Sequence, residues 1–231
     1  MRLLLVSFAA LALAFTPVAD AKDKENPYHI DKRTFKKQYK IIALAPIDAN
    51  ASLQMPDSVA LMIEEEITAH LRKRGYTVIP TSVLADIRAR MEAQVGGFTD
   101  PESGGTDMAK VRAVREHSFR ELWFQHQLDA VATIRVQISL ADIKNDRAEW
   151  DGVKQSVQRD GRRLDYTASA AASSVSFAVY DHTNKPLYVA YGGIEMLMKR
   201  VGQSFEALDP NQYFTDEKLI RKAARIAVKA I

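Results

Sequence analysis

The order of apolar segments between residues 40 and 91 constrains this chain more than any other feature. Lys40-Ile-Ile-Ala-Leu-Ala-Pro-Ile47 is a continuous apolar run, the pattern of a strand covered on both faces. A helix pattern follows at once. Pro56 suits a first helical position, Asp57 complements the amino-terminal dipole, and Val59, Ile63, Ile67 and Leu71 recur on one face with Met62 widening it. Glu64, Glu65 and Glu66 are expected to turn outward. Arg72-Lys73-Arg74 fills the last turn, and Gly75 supplies a left-handed stop. Residues 76–80 read as a second short strand. Thr81 or Ser82 then caps a further element whose Leu84, Ile87 and Met91 share a face. Strand, helix, strand, helix in that order predicts a sheet with helices packed on it.

The rest of the chain extends the same plan. Residues 96–106 are rich in glycine and read as a mobile loop. They lack the Lys-Ser/Thr of a phosphate cradle, and no strand leads into them. Thr106 or Asp107 starts a long helix to about Gln127, with Val111, Phe119, Leu122, Trp123 and His126 as inward candidates. Residues 129–140 form the cleanest strand: Ile134, Val136, Ile138 and Leu140 alternate with Thr133, Arg135, Gln137 and Ser139. Residues 174–191 read as a hairpin in which Val175, Phe177 and Val179 are answered by Leu187, Val189 and Tyr191. Its turn, Asp181-His-Thr-Asn-Lys-Pro186, uses residues that tolerate turn geometry. A final helix over residues 215–231 puts Leu219, Ile220, Ala223, Ile226 and Ala227 on one face. Residues 141–173, polar and carrying Trp150, read as a long loop or an extended, partly solvated arm. The expected fold class is therefore α/β: a single domain over residues 40–231, with a central mixed sheet, flanking helices, and a C-terminal β-hairpin plus helix.

The first 21 residues read as a cleaved signal peptide. Arg2 gives a basic start, residues 3–15 are apolar without charge, and Pro17 is followed by Ala19-Asp20-Ala21, the small-x-small form of a cleavage site. The apolar run is shorter than the roughly 20 residues a membrane span needs. Residues 22–39 are then a polar leader, with Lys32, Arg33, Lys36 and Lys37 among its cations. They read as a solvated stretch, or as a contact with anionic lipid or polymer. No Cys exists to carry a lipid anchor or a disulfide, so stability rests on core burial in a chain of 231 residues. A formal charge of +3 is far from the basic stripe of a nucleic-acid binder. The expected location is periplasmic, with no stable membrane anchor and no nucleic-acid partner.

Several stretches together resemble an α/β domain shared by envelope proteins. The opening strand before a long helix is similar. So is Leu71-Arg-Lys-Arg-Gly-Tyr-Thr-Val-Ile79, a helix end leading into the second strand. Leu128-Asp129-Ala130-Val131 resembles that domain's Gly-Ala-Asp entry into a central strand, with Gln127 and Leu128 in place of small residues. Asp181-x-x-Asn184-x-x-Leu187-Tyr188 resembles the hairpin pattern Asp-x-x-Thr-Gly-x-x-Val-Trp, with Asn where Gly is usual. The family includes curli secretion-channel lipoproteins, lipoprotein activators of peptidoglycan synthases and the amino-terminal domain of the Tol system's propeller protein. The resemblance implies a non-enzymatic role in binding or assembly in the envelope. The family's lipid-anchoring Cys is absent here.

Catalytic patterns are sparse. The histidines His29, His70, His117, His126 and His182 include no His-Glu-x-x-His, and His117 with Glu121 supplies two of the three or four ligands a zinc site needs. No Gly-x-Ser-x-Gly elbow is present. No cofactor, metal or catalytic residue is assigned. Carboxylates for glycoside cleavage could be drawn from Glu149, Asp151, Asp160 and Asp165. The expected contact residues are Trp150, Asp151, Lys154, Arg162 and Arg163, because Trp and Arg are enriched at interface hot spots. For Trp150 itself the favoured reading is an anchor that holds the arm back onto the domain, with the contact role second. The expected function is an exported, non-catalytic envelope protein binding or assembling with another envelope protein or a further copy of itself. The alternative is a hydrolase or small-ligand receptor for envelope polymers, marked by a deep pocket around Glu149 and Asp151 and a carboxylate of raised pKa.

Overall fold

The structure, a computed structural model, describes residues 26–144, 146–157, 167–202 and 204–231. The polar leader is not a solvated strand of chain from residue 26 onward. The Val189 N–H donates to the Pro27 carbonyl at 2.8 Å and the His29 N–H to the Leu187 carbonyl at 2.9 Å, so this segment pairs with the sheet. Helix α1 (Lys32–Gln38) follows, started by the Asp31 carboxylate accepting the Thr34 N–H at 2.8 Å. Its Phe35 is fully buried. Four polar residues before Phe35 and three after it hid this in the polarity of the segment.

The chain continues through β1 (Ile41–Leu44), the short β2 (Asp48–Ala49), α2 (Asp57–Lys73), β3 (Thr77–Ile79), α3 (Thr81–Gln94) and α4 (Met108–His126). Then come β4 (Ala130–Lys144), β5 (Arg147–Trp150), β6 (Val153–Ser156), β7 (Ala168–Tyr180) and β8 (Pro186–Met196). A separate ribbon of β9 (Met198–Val201) and β10 (Ser204–Ala207) precedes the last helix, α5 (Glu217–Val228). The mixed sheet, flanking helices and late hairpin plus helix agree with the α/β class expected.

Strands β3, β1 and β4 run parallel in that order, while β7 and β8 add antiparallel to the other edge of β4. Ile42 and Leu44 face α2 and α5, and Ala43 between them faces α3 and α4, so β1 is covered on both sides as its apolar run requires. Helix α2 buries Val59, Ile63, Ile67 and Leu71. It ends in a Schellman motif: the Gly75 N–H, at φ +84°, donates to Arg72 O, and the Tyr76 N–H donates to Leu71 O. Glu64 does not simply face solvent. Its carboxylate accepts the Thr81 N–H (3.0 Å) and hydroxyl (2.6 Å), so one helix caps the start of the next.

Four expectations are corrected. Residues 96–106 form a tied turn around Asp100, whose carboxylate accepts the Glu102 N–H and the Ser103 hydroxyl. Helix α4 buries Val114, Ser118 and Leu122, with Val111, Phe119, Trp123 and His126 half-buried at its margins. Strand β4 runs on to Lys144 and changes which face it buries. Ile134 and Val136 lie under the helices, but Ile138 and Leu140, past that cover, are 43% and 73% exposed, and Ala141 and Ile143 on the opposite face are buried instead. In the late hairpin, Val175, Phe177 and Val179 meet Gly192, Ala190 and Tyr188, one residue off the expected set, because a register irregularity beside Tyr180 shifts the returning strand.

The residues expected as a loop or arm supply the last four residues of β4, the β5–β6 hairpin and the start of β7. Strands β8, β7, β4, β5 and β6 form a continuous ribbon that curls until β6 touches β8. Its inside holds a second apolar cluster of Ala141, Ile143, Ala148, Trp150, Val153, Ala170, Ala172 and Met196. On the helix side, β8 is pressed onto α5 at Gly192, where an added methyl would overlap the Ala223 carbonyl and crowd the Ala227 nitrogen. Both partners are backbone and cannot turn aside. Gly192→Ala is therefore expected to cost about 3 kcal/mol or more in denaturant unfolding, well beyond the change at a surface alanine. A loss under about 1 kcal/mol would show that α5 can move away freely.

Candidate functional site

The β5–β6 hairpin carries three of the five residues expected to bind a partner, Trp150, Asp151 and Lys154, and the first two serve the fold. Asp151 (φ +39°) and Gly152 (φ +77°) are both left-handed, the backbone of a two-residue primed turn. The Asp151 carboxylate accepts the Ser139 hydroxyl at 2.8 Å and the Ser174 hydroxyl at 2.5 Å, and its carbonyl accepts the Gly193 N–H at 2.9 Å. Trp150 is 4% exposed. Its indole N–H donates to the Ser173 carbonyl at 3.2 Å, and its ring lies on Gly193, where an added Cβ would stand 2.6 Å from the indole nitrogen. Trp150 thus anchors the curled ribbon and has almost no surface to offer a partner. Lys154 is exposed and pairs with Glu149 at 2.8 Å. Arg162, Arg163, Asp160 and Asp165 lie outside the described residues.

Burial pushes the Glu195 carboxyl, on β8, above its usual range. Nearby Asp216 adds to the rise, while the Phe214 N–H, donating to Glu195 at 2.6 Å, opposes it. That bond ties the approach to α5 onto β8, which makes the group a structural clasp. A shallow cleft of about 250 Å³ opens between α3 and α4, lined by Met91, Gln94, Val95, Ala113, Val114 and His117. Among the described residues no three His, Asp or Glu come together as a metal-ligand group.

A different gathering of chemistry sits where α1 crosses the end of α2. The inward side of α1 is aromatic: the Phe35 ring stacks on Tyr39 at 5.6 Å and lies 6.3 Å from Tyr76, with Tyr28 edge-on at 5.4 Å. Its outward side is basic. The Lys32 ammonium stands 5.4 Å over the Tyr28 ring, and the Lys40 ammonium 5.4 Å over the Tyr76 ring. The Schellman turn sends Tyr76 inward beneath them and leaves Arg72, Lys73 and Arg74 exposed beside them. Burial, then Lys32, Arg74 and Lys40, holds the Lys36 ammonium below its usual value, so these cations share one neighbourhood.

None of these cations forms an ion pair among the described residues. Beneath them, the Tyr76 hydroxyl and His70 Nε2 are buried without a hydrogen-bond partner. Burial pushes the Tyr28 hydroxyl up to about 12, and that hydroxyl donates to the Ala230 carbonyl at 2.7 Å. The basic residues of this end were visible in the sequence as two separate runs. Their meeting depends on packing between segments more than thirty residues apart, for which the sequence carried only one signal, Phe35 and Tyr39 four residues apart among the cations.

No known protein family matches the chain, and no curated protein matches it. One solved structure, described as a homolog of a neuraminyllactose-binding hemagglutinin from Helicobacter pylori, aligns with it at 12% identity and a TM-score of 0.34. The alignment covers 91% of this chain and 85% of that one, a likeness too loose to establish a common fold.

Two measurements follow from this geometry. Trp150→Ala is expected to cost about 3–5 kcal/mol in chemical denaturation, because it empties the second cluster; an unchanged midpoint would make the indole dispensable. Burial first, then Arg74 and Lys73, holds the His70 imidazole below its usual 6.5 against the opposing pull of Glu66. The unfolded chain therefore binds more protons just below that pH, and stability falls as pH drops from 6.5 towards the lower folded value. His70→Asn should lose less stability than the wild type between about pH 7.5 and pH 5.5. Equal losses would remove His70 as the cause.

Proposed function

We propose that this chain is an exported, periplasmic component of the cell envelope that works by binding or assembly rather than by catalysis. The observation that carries the reading is the basic end built by α1 and the close of α2. Cations there form no ion pair among the described residues and lie over a buried aromatic platform. Like charges gathered on one face raise a local positive potential that attracts a partner of opposite sign.

The hairpin chemistry supports the same direction. Glu149 is engaged by Lys154, and the Asp151 carboxylate by two serine hydroxyls. A hydrolase drawing on these groups would first have to break the bonds that shape the ribbon. The leader expected over residues 1–21 and the resemblance to envelope assembly proteins fit the same assignment. The contact surface moves, however, from the region of Trp150 to the basic end.

The test is crosslinking of the tagged protein in intact producing cells, followed by capture and identification of bound proteins. One envelope protein in near-equal amount is the expected result, reduced about tenfold or more when Lys36, Lys40 and Arg74 are replaced together by Ala. Capture that is unchanged by the triple replacement would remove this end as the contact surface.

A further inference from the structure

The basic end has the shape and charge of a surface contact. Lys32 and Lys36 lie one helical turn apart on α1, and Arg33 and Lys37 form a second row beside them. Arg74, at the end of α2, adds a third position off the α1 axis. A helix of this length is about 10 Å long, so the cations span more than one anionic group. They spread in two dimensions over a helix side and a helix end. A single compact anion needs donors that converge on it, and a linear polymer needs a track. Neither describes this layout.

The apolar side of α1 is already spent on the core, since Phe35 is fully buried and Tyr39 half-buried. Contact through this end is thus electrostatic, without insertion of a hydrophobic face. Among residues 26–40 the one acidic side chain, Asp31, is occupied as the α1 cap and accepts both the N–H and the hydroxyl of Thr34.

We propose that the end formed by Lys32, Arg33, Lys36, Lys37, Lys40 and Arg74 docks reversibly on an anionic bilayer surface, contacting phosphate-bearing lipid headgroups. This rests on reading the basic end as a contact surface and names its partner. A leader that delivers the chain across a membrane would release this end beside such a surface. Docking of this kind needs no lipid anchor, and it holds the rest of the domain at the membrane while the other surfaces stay open.

The experiment is co-sedimentation of the full chain with vesicles. Phosphatidylcholine vesicles containing roughly one-third phosphatidylglycerol should bind it at low salt, and release it at about 0.5 M salt. Vesicles of phosphatidylcholine alone should not bind it. Each cation at an anionic surface contributes about fivefold in affinity, so Lys36→Ala, Lys40→Ala and Arg74→Ala together should weaken binding roughly 100-fold. Replacing Lys144, Lys185 and Lys199, an equal charge change elsewhere, should leave binding as in the wild type.

Thermal melting checks that both triple variants fold, and release of the wild type by salt decides independently of either. No binding at low salt overturns the proposal, as does equal weakening by the two variants. Binding to soluble polyphosphate without binding to vesicles overturns it in favour of a polymer. If vesicle binding fails while protein capture still depends on Lys36, Lys40 and Arg74, the contact reading stands and only the bilayer is removed. If both fail, the contact reading falls too.

Discussion

The long antiparallel ladder between β4 and β7 is the interaction on which the rest of the structure depends. It pairs Val131 with Tyr180 at one end and Ile143 with Ala168 at the other without a break. Since side chains alternate between faces, this one ladder supplies residues to three separate apolar clusters. Ala132, Ile134, Val136, Val175 and Phe177 pack under α2 and α5. Val131 joins the cluster beneath α3 and α4, and Ala141, Ile143, Ala170 and Ala172 line the inside of the curled half. The parallel strands attach to one edge of the ladder and β8 to the other. Breaking its register by one residue would exchange the buried and exposed faces of all three clusters at once.

Small residues let the layers approach. Gly192 admits the backbone of α5 at Ala223 and Ala227, and Gly193 on the other face admits the Trp150 ring. Two adjacent glycines therefore clamp the same strand between a helix and an indole. A side chain on either would push apart surfaces that have no slack, because interiors are packed at crystal-like density. The Asp151 turn completes this arrangement from outside, its carboxylate joining Ser139 of β4 to Ser174 of β7 across the sheet.

The two ends of the described chain meet at the basic end. Tyr28 reaches the Ala230 carbonyl, Tyr188 reaches the Ala227 carbonyl, and Phe35 lies between them and Tyr76. Apolar burial at this point holds cations from α1 and α2 near one another against their repulsion. That repulsion is weak in water and screened by salt, whereas the aromatic burial is not. The fold can therefore hold this basic patch in place at small cost.

The helices and the first strands were legible because their signals are local. The spacing of Val59, Ile63, Ile67 and Leu71, the basic last turn and Gly75 define α2 within twenty residues of chain. The 181–186 turn was equally legible, with Asn184 left-handed at φ +66° and Asp181 accepting three hydrogen bonds. The arm carries one local signal too: Asp151-Gly152, bounded by Trp150 and Val153, is a hairpin turn pair that marks two strands within an otherwise polar stretch.

By itself, then, the amino-acid order determined where helices start and stop, which strands are covered on both faces, and that helices must pack on a mixed sheet. Those follow from side-chain periodicity and backbone preferences that act over a few residues. Only the tertiary structure decided which face of β4 is covered beyond Val136, which residues of β8 answer β7, and that residues 27–38 belong to the domain. It also decided that two basic runs form one surface and that Trp150 is core. Each of these depends on contacts between segments far apart in the chain, and burial is settled by what arrives on the other side.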